Sequence, residues 1–132
     1  MTMTDPIADM LTRIRNASRA GLLTVDVPCS REKLEIARIM KEKGFILDYE
    51  KLEDSRQGMI KITLRYSRNR DEMFTKLLRV SKPSFRVSRK AGEITAVKNG
   101  AGIAIVSTSK GIKSDDECRK ENLGGEVLCH IW

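Results

Sequence analysis

The chain has 132 residues, enough for one medium domain or two small subdomains. Hydrophobic residues make up 40% of it, which can supply a core and argues against wholesale disorder. Lys and Arg number 25 against 18 Asp and Glu, for a net charge of +7. That charge is uneven: residues 1–66 hold 12 basic and 10 acidic side chains, and residues 67–132 hold 13 and 8. From Lys76 to Lys113 there are nine basic residues and one acid, Glu93. A concentrated positive field attracts polyanions and speeds their encounter.

The first helix is expected from Pro6, with Thr4 and Asp5 able to cap it and Ile7, Met10, Leu11 and Ile14 forming one apolar stripe. Ala20-Gly21 ends it, and Leu22–Val27 reads as a strand. Ser30 caps a second helix with Leu34, Ile36, Ala37, Ile39 and Met40 inside, and Gly44 suits the left-handed position that closes it. Phe45–Leu52 reads as a strand. A turn through Asp54, Ser55, Arg56, Gln57 and Gly58 leads to Ile60, Ile62, Leu64 and Tyr66, which alternate with polar residues as a half-buried strand.

Ser67-Arg68-Asn69-Arg70-Asp71-Glu72 is the candidate linker. Beyond it, short strands are expected at Leu77–Val80, Phe85–Ser88, Ile103–Ser107 and Glu126–Trp132, punctuated by proline and glycine. Ser114-Asp115-Asp116-Glu117 has the form of a capping box and opens a short helix that ends at Asn122-Leu123-Gly124-Gly125. The expected fold class is α+β: an N-terminal α-β-α-β-β subdomain, residues 1–66, then a mostly β C-terminal subdomain with one short helix, residues 67–132.

Three cysteines, Cys29, Cys118 and Cys129, and one histidine, His130, give neither a disulfide framework nor a zinc spacing, so no metal is expected and a reducing compartment fits. No secretory signal is visible, and the longest run without a polar side chain, Gly100–Val106, is far short of the ~20 residues a membrane span needs. A cytoplasmic location is expected. His130 lies in the expected terminal strand with no partnered nucleophile in view, and reads as structural. Asp115-Asp116-Glu117 suggests a metal only weakly, because acids at a helix start are favoured by the backbone dipole. Gly100-Ala101-Gly102 followed by Ser107–Gly111 resembles a phosphate loop loosely, without the required order. No catalytic residue, cofactor or small-molecule substrate is expected.

The run from Lys76 to Lys90 holds Lys76, Arg79, Lys82, Arg86, Arg89 and Lys90 with no acid. Alternate residues on a strand share a face, so several can point together toward phosphates. Ser107-Thr108-Ser109 ends the most apolar strand; it is either a solvated turn or a set of donors and acceptors for base edges, sugar hydroxyls and phosphates. Aromatics are sparse and most fall at core-like positions, with no strand run for stacking successive bases. No helix-turn-helix or finger spacing appears, so DNA is not an expected partner. A folded RNA read by shape, backbone and a few polar contacts fits best.

Three stretches carry a resemblance: Thr4 to Ala17, Asn99 to Gly111 with its Ser107-Thr108-Ser109-Lys110-Gly111, and Gly124-Gly125-Glu126-Val127-Leu128-Cys129. Arg79-Val80-Ser81-Lys82-Pro83 matches between them. The chain resembles the bacterial small-subunit ribosomal protein eight family over essentially its whole length. The resemblance implies two α/β subdomains and primary binding to the central domain of 16S ribosomal RNA, on a helix with an irregular internal core, helping to assemble the platform of the small subunit. It implies that Ser107, Thr108 and Ser109 contact that core, with Lys110, Gly124, Gly125 and Glu126 beside them. Thr4, Asp5, Lys82, Arg86 and Ser88 are further implied RNA-binding positions. Ribosomal proteins five and twelve are implied neighbours, and repression of translation by binding messenger RNA is implied for some members. The chain departs from the family pattern at Ser84 (usually glycine), Ser88 (often tyrosine), Ala101 (usually larger) and Cys118 (usually alanine). Ser88 therefore brings no ring to stack, although Arg86 remains to reach the backbone.

Overall fold

The computed structural model describes residues 5–53, 58–69 and 73–132. The fold is α+β. Its elements in chain order are α1 (Pro6–Arg19), β1 (Thr24–Pro28), α2 (Arg31–Glu42), β2 (Ile46–Leu52), β3 (Met59–Leu64), β4 (Leu77–Arg79), β5 (Ser88–Arg89), β6 (Ile103–Thr108), β7 (Gly111–Ser114), α3 (Asp115–Glu121) and β8 (Gly125–Ile131). Single 3-10 turns occupy Ala91–Glu93 and Val97–Gly100. Two compact units result, one of Asp9–Phe74 and one joining the chain up to Ala8 with Thr75–Trp132, so the boundary falls inside α1.

In the unit of residues 9–74 the α-β-α-β-β order appears as read. Ser30 caps α2, its Oγ accepting the Lys33 N–H at 3.2 Å, and Gly44 takes φ +81° after it. The three strands form an antiparallel sheet in the order β1-β3-β2, with Val27 opposite Ile60 and Tyr49 opposite Ile62. Ile60, Ile62 and Leu64 alternate along β3 and are buried, as the period of two requires. The strand stops at Leu64 rather than running on to Tyr66, whose hydroxyl donates to the Leu22 carbonyl. Most of the expected turn at Asp54–Gly58 and the Arg70-Asp71-Glu72 part of the expected linker lie outside the described residues.

The second unit is built on β8, the centre of an antiparallel sheet in the order β4-β8-β6-β7, with β5 also pairing β8. Ile94, Val97, Ala104, Val106, Cys118 and Val127 form its buried cluster, flanked by Val80 and Trp132. Two strand expectations change. Pro83 and Ser84 make a tight turn, so Lys82 and Phe85 bond each other, Lys82 N–H to Phe85 O at 2.9 Å and Phe85 N–H to Lys82 O at 3.0 Å. The strand on β8 is therefore Ser88–Arg89 and not Phe85–Ser88. The strand β7 was not visible in the sequence, because Gly111-Ile112-Lys113-Ser114 has one apolar residue and no run to display a period; it exists because it folds back on β6.

The capping box at Ser114 forms with Glu117 as its partner. Asp115, 3% exposed, serves structure: it accepts the Ala104 N–H at 3.0 Å and pairs with Arg119 at 2.8 Å, tying α3 to β6. Replacing Asp115 with alanine strands a buried N–H, at a typical cost of about 1–3 kcal/mol. Urea denaturation should show that loss in the Asp115→Ala variant; an unchanged midpoint would remove Asp115 as the tie.

Candidate nucleic-acid interface

The hydroxyl-rich segment sits at the turn end of the β6–β7 hairpin, where Thr108 faces Gly111 in the register. The Thr108 hydroxyl closes the turn: it donates to the Gly111 carbonyl at 2.7 Å and accepts the Lys110 N–H at 3.1 Å. Gly111 follows at φ +103°, a conformation open to glycine without steric cost. Ser109 and Lys110 are exposed, and Ser107 and Thr108 half-buried. The turn thus holds its own shape with one hydroxyl and leaves the two serines on either side of it.

Gly124 and Gly125 stand where β8 begins. A Cβ on Gly125 would lie 2.0 Å from the Ser107 carbonyl oxygen, and one on Gly124 would lie 2.6 Å from the Arg89 carbonyl oxygen. The two glycines therefore permit three backbone segments to meet: β5 with its following residues, β8 and β6. The register makes two rows across the sheet. Ser88, Glu126, Ser107 and Ile112 lie opposite one another in the first, and Arg89, Gly125, Thr108 and Gly111 in the second. Directly opposed residues of an antiparallel pair project to the same side, so Ser88, Glu126 and Ser107 share a face.

Glu126 is the joint of this region. It accepts a short hydrogen bond from the Ser81 hydroxyl and pairs with Arg86 at 2.9 Å. Ser81, fully buried, in turn accepts the Val87 N–H at 3.1 Å. The Ser81 N–H donates to the Val127 carbonyl and the Val127 N–H to the Val87 carbonyl, which fixes both legs of the 81–87 hairpin to β8. Burial opposes ionisation of Glu126, but the hydrogen bonds from Ser81 and Arg86 and the fields of Arg86 and Arg79 outweigh it, so its carboxyl is held below the usual range.

Other predicted positions divide between structural engagement and exposure. Asp5 caps α1 through the Ala8 N–H at 3.1 Å and receives Arg79 Nε at 3.0 Å. Arg79 also donates to the Leu128 carbonyl at 2.6 Å, and its side chain is only 9% exposed. It is thus withdrawn from the face that the basic run was expected to present. Lys82, Arg86 and Ser88 are exposed. Thr4 lies outside the described residues. Sequence reading passed over Ser81 as a site residue and set Phe85 at the start of a strand, whereas it closes the turn of the 81–87 hairpin and is 72% exposed. No local signal marks either, since both depend on how the Pro83 turn lies on β8. Exposed Arg89 and Lys90 join the same region next to Gly124.

The arrangement offers paired hydroxyls, backbone donors in tight turns and a set of exposed cations. It can hold a folded polyanion by phosphate contacts while small donors read edges and sugars. His130, whose burial lowers its pKa, lies on β8 opposite Ala104 and Leu78, away from the serine row. Among the described residues no group of three or more His, Cys, Asp or Glu side chains is placed to hold a metal ion, and no described helix is long and apolar enough to cross a membrane.

Comparison with known proteins gives a consistent result. The family described as Ribosomal protein S8 matches residues 5–132. The chain is 54% identical to the small ribosomal subunit protein uS8 of Clostridioides difficile over 132 residues, the whole of both chains. It is equally similar to that of Halalkalibacterium halodurans, and 53% identical to that of Syntrophomonas wolfei, again over full length.

Gly125→Ala should cost about 3 kcal/mol or more, because the intruding methyl meets backbone and not a movable side chain; denaturant melts of the variant measure it, and a loss under 1 kcal/mol would mean the strands separate freely. The Glu126 carboxyl titrates lower in the folded than in the unfolded chain, so its stabilisation is present above pH ~4.5 and lost as pH falls through the folded value. The stability gap between the protein and its Glu126→Gln variant is expected to be flat near neutrality and to close in acid; a gap that stays constant down to pH 3 would show that ionisation is irrelevant to the joint.

Proposed function

From the premise that the chain belongs to the ribosomal protein S8 family, a structural and RNA-binding component of the small ribosomal subunit and not an enzyme class, we propose that it binds the central domain of 16S ribosomal RNA and helps assemble the platform. The RNA surface is the end of the sheet where Ser107, Thr108, Ser109 and Lys110 meet Gly124 and Gly125, extended by Lys82, Arg86 and Ser88. Residues 67–132 form the RNA-binding half, to which Thr4 and Asp5 contribute from the N-terminus. One observation supports this most: the Gly125 backbone passes so close to Ser107 that no side chain fits between them, which holds the serine turn rigidly beside exposed cations.

The roles within this surface differ. Ser107 and Ser109 offer hydroxyls to base edges or sugars, whereas Thr108 fixes the turn. Lys82, Lys110 and Arg86 meet phosphates. Glu126, a carboxylate, is unsuited to a phosphate and acts by holding Ser81 and Arg86 in place. Asp5 likewise acts by capping α1 and retaining Arg79. Ribosomal proteins five and twelve are the proposed neighbours in the cytoplasmic ribosome. A messenger RNA segment shaped like the ribosomal site would engage the same donors, which gives the route to translational repression.

Chemical footprinting of transcribed 16S ribosomal RNA with and without the protein tests the reading; protection confined to the central domain is expected, and protection elsewhere or none would overturn it. Ser107→Ala should weaken binding to that RNA by about 1–3 kcal/mol while leaving binding to random RNA nearly unchanged. Lys110→Ala should weaken both and reduce the salt dependence by about one unit of log–log slope. Equal losses on both RNAs for Ser107→Ala would reassign the serine to phosphate positioning.

A further inference from the structure

Among the described residues Phe85 is the one aromatic side chain left largely in solvent, at 72% exposure. A single exposed apolar residue is ordinary on a protein surface. Phe85 differs in how it is held and in what surrounds it. It closes the tight turn of Pro83 and Ser84 through two reciprocal backbone hydrogen bonds with Lys82. The legs of that hairpin are fixed in turn: Val80 and Ser81 donate to the Leu128 and Val127 carbonyls, Val87 accepts from Val127, and Glu126 receives Ser81 from one leg and Arg86 from the other. The ring is thus carried on an arm whose backbone is already ordered, so binding through it forgoes little conformational entropy.

The surroundings are basic. Residues 82–92 contain Lys82, Arg86, Arg89 and Lys90 and no acid, and all four cations are exposed. The carboxylate that holds the arm, Glu126 of β8, is paired with Arg86. A flat apolar ring in a field of this sign is suited to a ligand that is both polyanionic and aromatic. An acidic protein surface would match the charge without requiring the ring; an unpaired nucleobase with its flanking phosphates uses both.

We propose that Phe85 stacks on an unpaired base of the RNA, with Lys82 and Arg86 on the phosphates either side. This rests on the ribosomal RNA reading above and adds a base contact made by a ring, separate from the polar contacts of the serine turn. It also implies that the bound RNA presents at least one base outside its helical stack within reach of the 81–87 hairpin.

The test compares the full-length protein with its Phe85→Ala, Phe85→Leu and Phe85→Trp variants for affinity to transcribed 16S ribosomal RNA, at several salt concentrations. Phe85→Ala and Phe85→Leu are each expected to weaken binding about tenfold, and Phe85→Trp to retain it, because stacking needs a π-face and not only apolar area. The salt slope should be the same in all four, since no charge changes, and thermal midpoints should coincide because the side chain is exposed. Leucine binding as tightly as phenylalanine would overturn stacking in favour of plain apolar contact. Alanine binding as tightly would remove Phe85 from the RNA altogether; if that variant is then under-represented in assembled small subunits, the ring faces a neighbouring protein instead. Failure of the unaltered protein to bind the RNA would bring down the ribosomal RNA reading itself, a result distinct from any of these.

Discussion

One carboxylate organises the candidate interface. Glu126 enters β8 at the point where β5 pairs on one side and β6 on the other. One carboxylate oxygen, Oε2, takes both a hydroxyl from buried Ser81 and a guanidinium N–H from Arg86, the two ends of the same hairpin. Without that acceptor, Ser81 would be a buried hydroxyl with one fewer partner, and Arg86 would be a free cation whose position the backbone does not fix. An acid inside a basic surface thus serves by cancelling little charge and setting much geometry.

The same economy holds nearby. Arg79 belongs by sequence to the basic run, yet its side chain is turned inward to Asp5 and the Leu128 carbonyl. A partly buried pair of this kind contributes less through attraction than its loss would cost through a poorly solvated, unpaired charge. Thr108 belongs by sequence to the hydroxyl cluster, yet its hydroxyl is consumed in closing the β6–β7 turn. In each case one member of a run of similar residues is spent on holding the scaffold and its neighbours keep at least part of their surface open. The density of polar groups around β8 is what allows both roles within so few residues.

Glycine does the complementary work. At Gly124 and Gly125 the constraint is not a left-handed backbone but the absence of room: the carbonyls of Arg89 and Ser107 occupy the space a side chain would need. Close approach of three backbone segments places the Ser88, Glu126 and Ser107 row beside the serine turn. The apolar cluster of Val106, Val127 and Cys118 with its neighbours backs part of this sheet and gives it the rigidity that a shape-reading surface requires.

Local chemistry alone determined a large share of this protein. The stripe from Ile7 to Ile14, the Ser30 cap, the alternation at Ile60, Ile62 and Leu64 and the Ser114 capping box each act within a few residues, so their periods and caps can be read along the chain. The order of the Ser-Thr-Ser turn and the Gly-Gly-Glu segment also pointed to the family, because both lie in short contiguous stretches. Tertiary structure alone decided which of these residues are available. The pairing of Gly111–Ser114 with β6, the shift of β5 to Ser88–Arg89, the inward turn of Arg79 and the exposure of Phe85 all follow from where distant segments meet β8. Sequence records which groups a chain carries; only the register of strands far apart in that chain fixes which of them are paired with one another and which still face the solvent.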